Sequence, residues 1–79
     1  MTQLKEYNGH RSWNAWNVSL WINGDESNYS LAKFLLKKYS LNKAARIWVE
    51  NHPEGTPDGG VYNKLTVRLA MEDMEEAHQ

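Results

Sequence analysis

Apolar residues spaced three and four positions apart predict helices along most of the chain. The clearest pattern follows Ser40, a residue type that caps helix N-termini. One face of this predicted helix carries Leu41, Ala44, Ala45, Trp48 and Val49. We expect the helix to end at His52, because the proline at position 53 disfavours the α conformation in the residue before it.

Residues 27–39 predict another helix just before Ser40. Its expected inner face carries Leu31, Leu35 and Tyr39, with Ala32 and Leu36 alongside, while its lysines lie on other faces. Acidic residues precede this helix and lysines occupy its last turns, which is the arrangement that the helix dipole favours.

A third amphipathic pattern predicts a last helix that begins at Asn63 or Thr66 and runs to about Ala77. Its apolar stripe consists of Val67, Ala70, Met71 and Met74. Residues 54–60 before it are rich in glycine and proline and predict a loop, in which Thr-Pro-Asp-Gly at 56–59 fits a type I turn.

The tryptophan-rich segment at residues 13–22 fits two interpretations. As a helix, it has Ser12 as N-cap and Gly24 near its C-terminus, with Trp13, Trp16 and Leu20 on one face and Val18, Trp21 and Ile22 on another. As a strand, residues 16–22 alternate apolar and polar, and Asn23-Gly24 is a hairpin turn. We favour the helix, because residues typical of a helix start follow Gly24. Being apolar nearly all round, this helix is expected to be the most buried element.

The sequence therefore predicts a single all-α domain over residues 1–79, a bundle of about four short helices with frayed ends at 1–7 and 77–79. The alternative is an α+β fold with residues 16–22 as a strand. A chain of 79 residues makes a thin core. We expect its aromatic rings to supply much of that core, and we expect Trp16→Ala and Trp48→Ala each to destabilise the fold by ~3–5 kcal/mol.

Few residues offer catalytic chemistry. Cysteine is absent, and the three histidines, His10, His52 and His78, lie far apart, so we expect no metal site, no cofactor and no enzymatic activity. No apolar run exceeds three residues, and the polar N-terminus does not resemble a signal peptide, so we expect no membrane contact and a cytoplasmic location.

Charge is divided unevenly along the chain, although the net charge is only −1. Residues 29–48 contain five basic residues and no acid: Lys33, Lys37, Lys38, Lys43 and Arg46. Acidic residues flank them in two groups, Asp25 and Glu26 before the stretch and Glu72, Asp73, Glu75 and Glu76 near the C-terminus. This asymmetry concerns partners rather than the fold.

The segment from Tyr7 to Glu26 resembles the opening of a family of small phage and mobile-element proteins of unknown function. The shared theme is Trp-Asn-Val-x-Leu-Trp-Ile, here residues 16–22, followed by Asn, an acidic pair and an aromatic residue, here Tyr29. Gly-Thr-Pro-Asp-Gly at 55–59 also resembles the family's turn before its last segment. The resemblance implies a genomic setting in which small proteins disable host defence complexes, as anti-CRISPR proteins do; it implies no catalytic residue.

Three hypotheses follow. The first is a non-catalytic inhibitor whose two acidic groups occupy a basic surface of a host nucleic-acid-processing complex, such as a CRISPR effector. The second is a nucleic-acid-binding accessory protein that uses the basic stretch, which the pI near 6.3 makes less favourable. The third is a structural or assembly protein of a phage that acts as a homodimer.

Overall fold

Four helices make up the fold in the computed structural model, which describes residues 12–76. They are α1 (Trp13–Gly24), α2 (Glu26–Lys38), α3 (Leu41–Asn51) and α4 (Lys64–Glu76). The predicted all-α class is confirmed, and the alternative strand at 16–22 is wrong, since those residues are helical. The ends predicted to fray lie outside the described residues. No helix among those described is long and apolar enough to cross a membrane.

A side chain caps the N-terminus of each helix, and this explains where the helices begin. The Oγ atoms of Ser12 and Ser40 accept hydrogen bonds from the amides of Ala15 (3.1 Å) and Lys43 (3.3 Å). The carboxylate of Asp25 does the same for α2, and the amide oxygen of Asn63 for α4, at 3.0 and 2.9 Å. Each such cap contributes ~1 kcal/mol. The caps at Asp25 and Ser40 also define the short corners between α1 and α2 and between α2 and α3.

The core forms where α4 packs against α1 and α3, with α2 packed against α1 and α3 from the other side. Its fully buried side chains include Val18, Ile22, Ala32, Ala44, Ala45, Trp48, Val67 and Met71. The alanines on α2 and α3 have little bulk, which lets those helices approach closely. The predicted inner faces of α3 and α4 are confirmed.

Trp48 lies at the centre of this core and is 0% exposed. Its indole stacks on the His52 ring, with centroids 4.3 Å apart, and meets the edge of Tyr62 at 5.8 Å. One large ring therefore joins the end of α3 to the residues that precede α4.

The faces of α1 and α2 differ from the prediction. On α1, Trp13 and Leu20 are 40% and 45% exposed and Trp16 is only partly buried, so the expectation that this helix is the most buried element is wrong. The reason is that α1 buries the polar Asn17 instead, beneath the loop between α3 and α4. Leu31 on α2 and its C-cap residue Tyr39 are exposed, whereas Ala32 and Leu35 are buried as predicted.

The four tryptophans therefore contribute unequally to stability. Trp48→Ala should lower the free energy of unfolding by ~3–5 kcal/mol, because it empties a large buried site. Trp16→Ala should cost clearly less, because its ring lies outside the buried cluster. Urea unfolding of both variants, with Trp13→Ala as the exposed control, measures the difference; equal losses for Trp16 and Trp48 would contradict this assignment.

Candidate protein-binding cleft and charged surfaces

Polar side chains on one side of α1 hold the α3–α4 loop (residues 52–63) in place. Asn17 is 0% exposed, and its amide oxygen accepts a hydrogen bond from the Thr56 hydroxyl at 2.5 Å. Its amide nitrogen donates to the carboxylate of Asp58 at 3.0 Å. Both ends of the buried amide are thus satisfied, as a buried polar group requires.

Asn14 and Trp21 extend this contact toward the two ends of α1. The Asn14 side chain donates to the carbonyl of Val61 (3.0 Å) and accepts from its amide (2.6 Å), so it pairs with the loop backbone as a strand would. The Trp21 indole N–H donates to the same Asp58 oxygen that Asn17 contacts, at 2.9 Å. Residues at helical spacing on α1 thus bind one continuous stretch of loop.

The loop matches this surface because its own hydrogen bonds fix its shape. The amide of Gly59 donates to the carbonyl of Thr56 at 3.0 Å, which confirms the predicted turn at 56–59. Gly55 and Gly59 have positive φ angles of 81° and 96°, which glycine adopts without strain. Gly60 lies so near Asn17 that a Cβ atom there would be 2.5 Å from the amide oxygen.

A cleft of about 360 Å³ opens where this loop, the end of α3 and the α1–α2 corner meet. Its lining comprises Trp21, Asp25, Asn28, His52, Glu54, Tyr62 and the loop residues 55–57. The cleft therefore combines two carboxylates with three aromatic rings. It also joins the two segments on which the family resemblance rests, the tryptophan-rich run and the Gly-Thr-Pro-Asp-Gly turn.

Hydrogen bonds inside the cleft fix several of its side chains. The carbonyl oxygen of Trp48 lies 2.8 Å from Nδ1 of His52, and because a carbonyl only accepts, Nδ1 carries the proton. In the neutral ring, Nε2 then remains an acceptor. Asn28 donates through its side-chain nitrogen to the carbonyl of Trp21 at 3.1 Å, which satisfies a terminal carbonyl of α1.

The pKa of Tyr62 reflects the burial and the charges of the groups that line the cleft. Burial raises the pKa of its hydroxyl, and the nearby carboxylates of Glu54 and Asp25 raise it further. An interaction with the Trp48 indole N–H acts in the opposite direction on this pKa. The cleft thus favours neutral or positively charged groups.

The structure separates the predicted acidic residues into two places. Asp25 lines the cleft and also caps α2, and Glu26 follows it as an exposed residue of the first turn. The others lie on the last turns of α4, the acidic end of α4: Glu72, Asp73, Glu75 and Glu76. Of these, Glu72 lies 3.7 Å from the Arg68 side chain, whereas Asp73 and Glu75 are exposed.

The predicted basic residues form a surface on α2 and α3 in which three lysines lie over aromatic rings. The distances from the ammonium to the ring centroid are 5.6 Å for Lys33 over Tyr29, 5.3 Å for Lys38 over Phe34 and 5.2 Å for Lys43 over Tyr39. Lys37 and Arg46 complete this basic-aromatic surface as exposed residues. Trp48, the aromatic residue at the end of the basic stretch in the sequence, is buried and contributes no ring to this surface.

Sequence reasoning missed the cleft, and in particular Trp21, His52, Glu54 and Tyr62 as its lining. Asp25 was predicted, and Trp21 could have been found beside it, because residues four apart at a helix end share a face. The contributions of His52, Glu54 and Tyr62 depend on the path of a loop that periodicity does not describe. Among residues 12–76, no three histidine, aspartate or glutamate side chains come together as a metal site.

These features define a small all-helical domain with an acidic aromatic cleft and a separate basic-aromatic surface. The chain belongs to a family of unknown function, DUF7249, whose sequence profile matches residues 3–79. Searches of curated proteins and of solved structures found no match to the chain.

The contact between Asp58 and α1 should make stability depend on pH. Hydrogen bonds from Trp21 and then Asn17 lower the pKa of Asp58 below its ordinary value of 3.8. A carboxylate with a lowered pKa stabilises the fold above its unfolded pKa, and this contribution is lost as pH falls through the folded value. The melting temperature of the wild type should therefore drop more steeply below about pH 5 than that of Asp58→Asn.

At pH 7, Asp58→Asn should melt below the wild type, because the charged acceptor is lost. Asp73→Asn is the matched control, an exposed carboxylate on α4 without such hydrogen bonds. Parallel acid curves for the wild type and Asp58→Asn would show that Asp58 does not anchor the loop.

Proposed function

We propose that this protein is a non-catalytic inhibitor that binds a positively charged surface of a nucleic-acid-processing complex, in the manner of an anti-CRISPR protein. The observation that carries the proposal is the cleft, in which Asp25 and Glu54 stand beside three aromatic rings. A concave site with this lining suits a basic side chain of another protein better than it suits phosphate.

The acidic end of α4 gives the proposal a second contact region. Asp73 and Glu75 are exposed, so both carboxylates are accessible to a partner. Proteins that bind nucleic acid present lysine and arginine to phosphate groups, and carboxylates can occupy the same positions. Charge complementarity of this kind raises association rates and selects the partner.

The resemblance to small phage and mobile-element proteins supports the choice of a defence complex as the partner. That support is by association, since fold and family do not define a function without a site. The cleft and the acidic end of α4 supply the residues through which such binding can be tested.

Neutralising the acidic end of α4 should weaken capture of the partner. The variant carries Glu72→Gln, Asp73→Asn, Glu75→Gln and Glu76→Gln, and the immobilised protein is exposed to bacterial lysate. Quantitative mass spectrometry should show nucleic-acid-processing proteins recovered by the wild type and reduced about tenfold with the variant, because several charge contacts are lost. Undiminished capture would remove this helix end from the proposal.

A matched control changes as many charges of the opposite sign. A protein with Lys33, Lys37, Lys38 and Lys43 replaced by Gln should capture the same proteins as the wild type. The captured complex should then be purified, and the wild-type protein should inhibit its nuclease or nucleic-acid-binding activity.

A second candidate function is supported by the three lysine–aromatic pairs. Exposed rings interleaved with ammonium groups suit single-stranded nucleic acid, because bases stack on the rings while lysines contact phosphates. Phe34 is 53% exposed and Tyr39 is also exposed, so both rings are accessible. As the alternative to the first proposal, we infer that the basic-aromatic surface binds single-stranded nucleic acid.

Gel shifts with a single-stranded oligonucleotide test this second candidate. Wild-type binding should weaken steeply with salt, by about 0.7 logarithmic units in affinity per contacted phosphate for each tenfold rise in salt. The lysine variant should lose this dependence, whereas the acidic-end variant should bind at least as well as the wild type. Absence of a complex at low salt would exclude nucleic-acid binding by this surface.

The third hypothesis, a homodimeric assembly protein, stays a prediction that sedimentation can test.

A further inference from the structure

Two neighbouring depressions share one wall at the α1–α2 corner. The cleft lies on one side of Trp21 and Asp25. On the other side these two residues, together with Leu20 and Gly24, line a second depression of about 240 Å³. Leu20 is an exposed apolar side chain, so the second depression adds an apolar surface beside Asp25, whereas the cleft adds a second carboxylate, Glu54.

The free hydrogen-bonding groups of the cleft are mainly acceptors. Within residues 12–76, Glu54 makes no hydrogen bond or ion pair, and Asp25 uses one carboxylate oxygen for the Asn28 amide, which leaves the other. His52 commits Nδ1 to Trp48, so Nε2 of the neutral ring accepts. A good occupant must therefore supply several donors and a positive charge.

The aromatic part of the cleft is fixed before any ligand arrives. The Trp21 indole N–H is bound to Asp58 at 2.9 Å, which limits rotation of the ring. His52 stacks on the buried Trp48 and meets Tyr62 edge-on at 5.7 Å. Rigid rings beside carboxylates are the environment in which a planar cation gains from both stacking and ion pairing.

We propose that the cleft takes the guanidinium group of an arginine side chain of the partner protein, and that the second depression takes an apolar side chain adjacent to that arginine. The inference rests on the proposed function, because it assumes a partner with a basic surface. Arginine fits better than lysine because its five donors lie in a plane and can reach two separate carboxylates while it stacks on an indole.

The second depression favours a polypeptide over a free small molecule. Trp21 and Asp25 form a ridge with an acidic cleft on one side and an apolar depression on the other. An arginine and an apolar residue that are neighbours in a chain can straddle such a ridge, whereas a small guanidinium compound fills only the cleft. The cleft volume also falls in the range of about 300–1,000 Å³ typical of ligand sites.

Titration of the full chain with capped arginine compounds, followed by NMR, tests the inference. The probes are N-acetyl-arginine amide, N-acetyl-lysine amide, and acetylated, amidated Arg-Leu, Leu-Arg and Arg-Ser dipeptides. The indole N–H resonance of Trp21 should shift with the arginine compound and less with lysine. At least one leucine dipeptide should bind severalfold more tightly than Arg-Ser.

Matched variants locate the binding. Glu54→Gln should weaken arginine binding about threefold to tenfold without altering resonances of the core, because Glu54 is exposed and makes no hydrogen bond within the described chain. Glu50→Gln removes the same charge from α3 outside the cleft and should leave binding unchanged. Leu20→Ala should abolish the advantage of the leucine dipeptide and keep arginine binding.

Failure of this inference can be distinguished from failure of the proposed function. The arginine site is overturned if the Trp21 resonance does not shift, or if the wild type and Glu54→Gln bind arginine equally. Either result overturns it even when the acidic-end variant still loses its partner. Equal binding of Arg-Ser and both leucine dipeptides overturns the polypeptide part. If the wild type binds arginine but the acidic-end variant still captures the partner undiminished, the arginine site is retained and the acidic end of α4 is removed from the proposed function.

Discussion

The buried side chain of Asn17 is the constraint on which the rest of the structure depends. An amide buried without partners would destabilise the fold by ~1–3 kcal/mol, so the loop between α3 and α4 must lie where Thr56 and Asp58 can satisfy it. Displacing the loop would also release the Trp21 indole from Asp58. One buried polar residue of α1 thus favours this path for the loop, because on this path Thr56 and Asp58 pair with its amide.

The same constraint shapes the candidate site. Residues 55–57 of the loop form one wall of the cleft, and Trp21 forms the opposite part. Both are fixed through Asp58, Thr56 and Asn17, so the cleft exists before a ligand is present and binding need not order a loop. Preorganisation of this kind lets even a small site bind usefully, since less conformational entropy is lost on binding.

The helices could be predicted from the sequence because their determinants are local. Ser12 and Ser40 cap the helices they precede, and the apolar spacing of α3 and α4 fixes which faces turn inward. Which side chains of α1 are exposed could not be predicted in the same way. Leu20 is exposed and Asn17 buried because of a loop that lies about forty residues further along the chain, and hydropathy carries no information on such a contact. The cleft was missed for the same reason.

The corner between α1 and α2 has a consequence for how this chain can vary. Asp25 alone separates the two helices and serves as C-cap of one and N-cap of the other. Asp25 has an extended backbone (φ −96°, ψ 123°), so inserting or deleting one residue there would change both the direction of α2 and its rotation about its own axis. Ala32 and Leu35 would then leave the core. A length change at this corner would therefore disturb the core, whereas a substitution that keeps a capping side chain at position 25 would leave the packing in place.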